Sequence, residues 1–153
     1  MKKIFINLFI LILLSSCGFS PVYVDKDMSD FNVQINKTVG DRLINNLISN
    51  QLNKSGDKLS ENQINIDINT KYKKIISSKD ATGAAASYEL TVKTELNARN
   101  RNNNKTFIFT EKFFINKNDN LIDEKNYEKT IKQSFASSIV NKIKLELNSF
   151  KWF

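Results

Sequence analysis

The sequence predicts an α+β fold: a two-layer sandwich with two helices packed on one face of a mostly antiparallel four-stranded sheet. Three observations carry this. Residues 39–52 repeat apolar side chains at three- and four-residue steps. Three successive segments between 63 and 115 alternate apolar and polar residues. From about residue 124 to 149 the helical period returns. Period two marks half-buried strands and period 3.6 marks helices with one apolar stripe. Two striped helices and one alternating sheet bury each other's apolar faces.

In chain order, a first strand is expected at Phe31–Asn36, with Phe31, Val33 and Ile35 on one face. The first helix carries Val39, Leu43, Ile44, Leu47, Ile48 and Leu52 on its stripe. Thr38 is its expected N-cap, with Asp41 three residues on, as in a capping box. Asp41 also suits the positive helix end, and Ser55-Gly56 is the expected stop. A long strand follows over residues 63–76, with Ile64, Ile66, Ile68 and Tyr72 inward. Ser77–Ala85 is expected as a loop. The third strand places Tyr88, Leu90, Val92 and Leu96 inward and Glu89, Thr91, Lys93 and Glu95 outward. Asn100–Asn104 makes a polar hairpin connection. The fourth strand puts Phe107, Phe109, Phe113 and Ile115 on one face; Ile108 and Phe114 interrupt an otherwise polar outer face. The last helix has Tyr127, Ile131, Phe135, Ile139 and Ile143 in steps of four, extended by Val140, Leu147 and Phe150. Asp123, Glu124 and Glu128 lie near its start and Lys142, Lys144 and Lys151 toward its end, as the helix dipole favours. The first strand joins the sheet through the helical crossover.

The chain begins differently. Lys2 and Lys3 precede an uncharged run from Ile4 to Leu14, and Leu14-Ser15-Ser16 leads to Cys17, the only cysteine of the 153 residues. A basic start, a short apolar run and small residues make a secretory leader. A membrane-spanning helix needs about 20 apolar residues, and at ~1.5 Å per residue this run covers little more than half of a hydrocarbon core. The division is therefore a leader at 1–16, a tether at 17–30 holding the single proline, Pro21, and one domain at 31–153. Leucine three places before the cysteine resembles a bacterial lipoprotein processing site, which implies acylation of Cys17. Plain secretion with an incidental cysteine is the alternative.

Composition narrows the chemistry. The net charge is +7, or +5 once Lys2 and Lys3 leave with the leader. A scattered basic excess favours anionic partners. For an exported chain these are lipid headgroups or phosphorylated glycolipid rather than nucleic acid. Histidine is absent. The sequence lacks paired cysteines, metal-spaced carboxylates, a GxSxG serine motif, and a glycine-rich phosphate loop among its four glycines. The reading is a non-enzyme with no metal and no cofactor beyond a covalent lipid on Cys17.

Two stretches resemble the LPS-assembly lipoprotein family, LptE (also called RlpB). One is Leu14-Ser15-Ser16-Cys17-Gly18-Phe19-Ser20-Pro21-Val22-Tyr23. The other is Thr82-Gly83-Ala84-Ala85-Ala86-Ser87-Tyr88-Glu89-Leu90, entering a long strand. The order of elements is similar too, over nearly the whole mature chain. The chain departs from the pattern at Ser87, where many relatives carry a basic residue. The resemblance implies an outer-membrane lipoprotein on the periplasmic side. It would plug and help assemble an LptD-type β-barrel and assist lipopolysaccharide transport to the cell surface. Gly18 after the cysteine, in place of aspartate, agrees with outer-membrane sorting. The implied contacts for lipopolysaccharide or a partner are Lys71, Lys73, Lys74 and Lys79 around the strand and its loop, with Lys93 and Lys112 on the outward sheet face. The alternatives are an unrelated lipoprotein adaptor or secretion-channel pilot without lipopolysaccharide binding, and a lipid carrier with a cavity between helices and sheet.

Overall fold

A computed structural model describes residues 31–149. The leader, Cys17, the tether, Phe150 and Lys151 lie outside the described residues. The elements are β1 (Asn32–Gly40), α1 (Arg42–Ser55), β2 (Gln63–Lys79), β3 (Ala85–Arg99), β4 (Asn104–Asn116) and α2 (Leu121–Ser149). They form one sheet in the order β1-β2-β3-β4. β1 runs parallel to β2, and the other two pairings are antiparallel. Both helices pack on one another and against the sheet. The expected class, element order and helical crossover are all present.

Alternation decides where the core sits. Ile64, Ile66 and Ile68 of β2, Leu90, Val92, Leu96 and Ala98 of β3, and Phe107, Phe109 and Ile115 of β4 are all buried. Facing them are Ile44, Ile48 and Leu52 of α1 and Ile131, Phe135, Ile139, Ile143 and Leu147 of α2. Each isoleucine, leucine, valine or phenylalanine among them contributes roughly 1.5–3 kcal/mol on burial. A 14-residue helix such as α1 is marginal alone in water, so this burial holds it. The rings of Phe107, Phe109 and Phe135 fill the space between layers that a lipid carrier would leave open.

The β1–α1 junction differs from the sequence reading. Thr38 and Val39 belong to β1, which pairs with β2 as far as Gly40 opposite Thr70. The exposed edge of β2 recruits these residues, and a bulge between Ile35 and Lys37 resets their facing. Val39 therefore leaves the helical stripe and stands 46% exposed on the outer face. Asp41, not Thr38, is the N-cap: its Oδ1 accepts from the Ile44 amide at 3.0 Å. The expected stop holds, since the Gly56 amide donates to the Leu52 carbonyl at 3.1 Å.

Gly40 sets the crossover. Its φ is +99°, and a Cβ there would lie 1.8 Å from the Thr70 carbonyl oxygen. The Asp41 amide donates to that same oxygen at 3.0 Å. The chain thus turns from strand to cap against the β2 backbone, with no room for a side chain.

Three further differences concern ends. The expected loop at 77–85 is shorter, because β2 continues to Lys79 and β3 starts at Ala85. Asp80 closes this turn, accepting from the Thr82 and Ala84 amides at 2.9 and 3.0 Å and from the Thr82 hydroxyl at 2.6 Å. α2 begins at Leu121, where the Asn120 side chain accepts from the Ile122 amide at 3.0 Å. Its last turn carries no basic residue: the helix runs on to Ser149, leaving Lys142 and Lys144 further back. Phe113 and Tyr127, expected inside, are 39% and 49% exposed and meet edge-on at 6.5 Å.

Gly40→Ala is expected to destabilise the domain by more than the roughly 1–2 kcal/mol of left-handed backbone strain, since the methyl also strikes the Thr70 carbonyl. Urea unfolding measures this as a lowered midpoint at an unchanged slope.

Candidate binding face

The two faces of the sheet carry charge differently. On the helix side the apolar row of β2 ends at Thr70, directly opposite Thr94 of β3; both are fully buried and their hydroxyls lie 3.0 Å apart. Beyond them the inward positions are Tyr72 and Lys74 of β2, which α2 covers with acids. Lys74 Nζ donates to Glu124 at 2.6 Å and to Glu128 at 3.0 Å, and lies 4.5 Å from the Tyr88 ring centre. The Tyr72 hydroxyl donates to Glu128 at 2.8 Å. Lys132 of α2 sits 3.9 Å over the Tyr72 ring and donates to Asp41 at 2.9 Å. Asp41 is thus both the cap of α1 and an anchor for α2. Further along, Glu111 of β4 accepts from Ser138 at 2.9 Å and Lys142 at 2.5 Å.

These contacts shift the groups that make them. Burial raises the Asp41 carboxyl, but the Ile44 amide and Lys132 outweigh it and hold it below the usual carboxylate range. Lys74 and the Asn118 amide depress Glu124 in the same direction. Burial works against the Lys74 ammonium, yet Glu124 and Glu128 raise it above its ordinary value. Burial, then Glu128, keeps the Tyr72 hydroxyl protonated well beyond its normal range.

On the outer face the rows run across the strands. Lys71 stands opposite Lys93, with Thr110 beyond; Lys73, Thr91 and Lys112 form the next row. Ile75, Glu89 and Phe114 follow. On the other flank Val39, Asn69, Glu95 and Ile108 share a row. Lys112 donates to Glu89 at 3.0 Å. Lys112, with help from the Thr91 hydroxyl, lowers the Glu89 carboxyl. Lys71, Lys73, Lys79 and Lys93 make no ion pair with any described residue. Like charges directly opposed on neighbouring strands are unfavourable, so Lys71 and Lys93 favour an anion or solvent between them. A shallow depression of about 50 Å³ lies there, lined by Asn69, Lys71, Lys93 and Glu95.

The six candidate lysines are therefore not one cluster. Lys71, Lys73, Lys93 and Lys112 share the outer face, and Lys79 sits at the exposed end of β2. Lys74 lies on the opposite side, held under α2. Alternation from Tyr72 is the signal that separates Lys74 from its neighbours. The same parity finds Glu111, between Phe109 and Phe113, and Ile75, in line with Lys71 and Lys73. Val39 is legible only once β1 is known to continue past the bulge. Among the described residues, no group of three or more metal-ligating side chains is present, and no helix is long and apolar enough to cross a membrane.

Neither a protein-family model nor a curated protein matches the chain. Solved structures do. The rare lipoprotein B from Shewanella oneidensis superposes with a TM-score of 0.52 at 16% identity, over 74% of this chain and 98% of that one. An uncharacterized lipoprotein B from Nitrosomonas europaea gives a TM-score of 0.53 at 12% identity, over 83% of this chain and 92% of that one. The chain has the fold of these lipoprotein structures.

The shifted groups give stability a pH dependence. Folded Asp41 and Glu124 hold protons less tightly than the unfolded chain does. Their contribution is complete above the ordinary carboxylate range, near pH ~4, and is lost as pH falls through the lower folded values. Lys74 acts at the other extreme: its contribution is complete below ~10.4 and is lost as pH rises through its raised value. Urea midpoints measured from pH 2 to 7 are expected to fall on the acid side, and Glu124→Gln to flatten that fall.

Proposed function

We propose that the chain is an outer-membrane lipoprotein, anchored through Cys17 on the periplasmic side, that occupies and helps assemble an LptD-type β-barrel and assists lipopolysaccharide transport. The observation that carries this is the fold shared with lipoprotein-B structures in a chain where Lys2, Lys3 and the uncharged run from Ile4 to Leu14 precede Cys17. The acyl anchor supports residence at a membrane, each buried CH₂ adding ~0.8 kcal/mol. The outer-face lysines Lys71, Lys73 and Lys93, with Lys112 and Lys79, supply cations for lipopolysaccharide phosphates or for a hydrated barrel lumen. Lys74 has its charge met by Glu124 and Glu128 and holds the fold in this reading. Where relatives carry a basic residue, Ser87 shares hydrogen bonds with Ser77 and Ser78 at 2.6 Å, so contact with phosphates falls to the lysines nearby.

The test is a crosslinked pull-down from membranes of the native cell, with metabolic labelling by a palmitate analogue. The expected result is a stoichiometric outer-membrane barrel and a label that Cys17→Ala abolishes. A barrel that assembles fully after depletion of this protein would overturn the reading. A secretion channel in its place would favour the pilot role.

A further inference from the structure

The outer face is basic in a band and apolar along both margins. The band is two rows deep, with Lys71 and Lys93 in one and Lys73 and Lys112 in the next. Its margins carry Ile75 and Phe114 on one side and Val39 and Ile108 on the other, exposed by 53, 61, 46 and 58%. Over the face as a whole, lysine and arginine outnumber Asp67, Glu89 and Glu95. The helices lie wholly on the other side, so nothing within the described domain covers it.

The side chains discriminate between occupants. Protein interfaces are depleted in lysine and enriched in arginine at their cores. Here the centre is lysine, and the face's own arginine, Arg99, is already paired with Asp67 at 2.6 Å. The depression at the centre is lined by Asn69, Lys71, Lys93 and Glu95, so it offers no apolar socket for an anchoring side chain. Long lysine stems that place a charge in water beside apolar and aromatic groups suit a membrane interface. Anionic headgroups would also relieve the opposition of Lys71 and Lys93.

We propose that the outer face of the sheet rests on an anionic phospholipid bilayer, with Lys71, Lys73 and Lys93 at the headgroup phosphates and Ile75, Ile108 and Phe114 entering just below them. The lipoprotein then lies face-down on its own membrane, helices outward, whenever no partner covers this surface. This goes beyond the reading above and needs from it only membrane attachment. Attachment holds the face at high local concentration against the bilayer, so a weak electrostatic contact suffices to orient the domain.

Lysine-selective acylation followed by mass spectrometry tests this on the full chain reconstituted in protein-free vesicles. In phosphatidylcholine containing about one third phosphatidylglycerol, the reactivity of Lys71, Lys73 and Lys93 should fall at least about fivefold relative to phosphatidylcholine alone. Lys54 of α1 and Lys129 of α2, both exposed, should not change. High salt should remove the protection. Lys93→Glu, which places opposite charges across β2 and β3, should restore reactivity at Lys71 and Lys73 with an unchanged thermal melt. Equal reactivity in both vesicles, or protection that includes Lys54 and Lys129, overturns the proposal. So does protection found in native outer membranes but not in vesicles, which assigns the face to a protein or to lipopolysaccharide. Flotation with the neutral vesicles reports attachment separately: failure there speaks against the anchor and not against the face.

Discussion

One constraint organises this molecule: a single sheet face is buried, and both helices depend on it. The 14-residue α1 is marginal alone in water. Each helix is held by aliphatic side chains set into one layer of isoleucine, leucine, valine and phenylalanine. Strand alternation then fixes everything on the other side. A residue one step along the strand from a core isoleucine has no helix above it, and it is free to carry charge or to meet a partner. A register slip of one residue would exchange the two faces entirely. The contact between Gly40 and the Thr70 carbonyl, which admits no side chain, opposes that slip where the chain leaves the sheet for α1.

The apolar layer does not extend the full length of β2. At Thr70 it gives way to a hydroxyl, then to Tyr72, Lys74 and the acids of α2, while β3 alongside stays apolar at Val92 and Leu90. Hydrophobic burial is non-directional, whereas charged hydrogen bonds fix geometry. The ion pairs from Asp41, Glu124, Glu128 and Glu111 to Lys132, Lys74 and Lys142 therefore define where α2 lies along the sheet as well as holding it down. They also separate the lysines that hold α2 to the fold from Lys71, Lys73 and Lys93 of the outer face, which make no ion pair with any described residue.

Much of this is legible in the sequence because side-chain period and backbone geometry are directly linked. The alternation of Ile64, Ile66 and Ile68, and the four-residue steps from Ile131 to Ile143, read correctly as strand and helix. The failures occur where two local signals compete. Thr38 is a good cap in isolation, and Val39 falls on the helical stripe by spacing. The open edge of β2 supplies backbone partners for both, so tertiary pairing overrides local preference. Asp41 then takes the cap. Proximity in sequence groups Lys74 with Lys71 and Lys73, although adjacent strand residues point to opposite faces. The pairing of Lys71 with Lys93, and of Lys74 with acids 50 and 54 positions away, depends on register and on helix placement, which no local pattern encodes.

The function proposed for this chain needs an outer face that is uncovered within the domain and available to an envelope partner or surface. The most direct measurement is single-cysteine reactivity in a Cys17→Ser background, scanned across the strands in the isolated protein in detergent. Labelling should follow a period of two: fast at positions 71, 73, 93 and 110, slow at 70, 72, 92 and 109. Uniform labelling along the strands, or protection following a helical period, would contradict it.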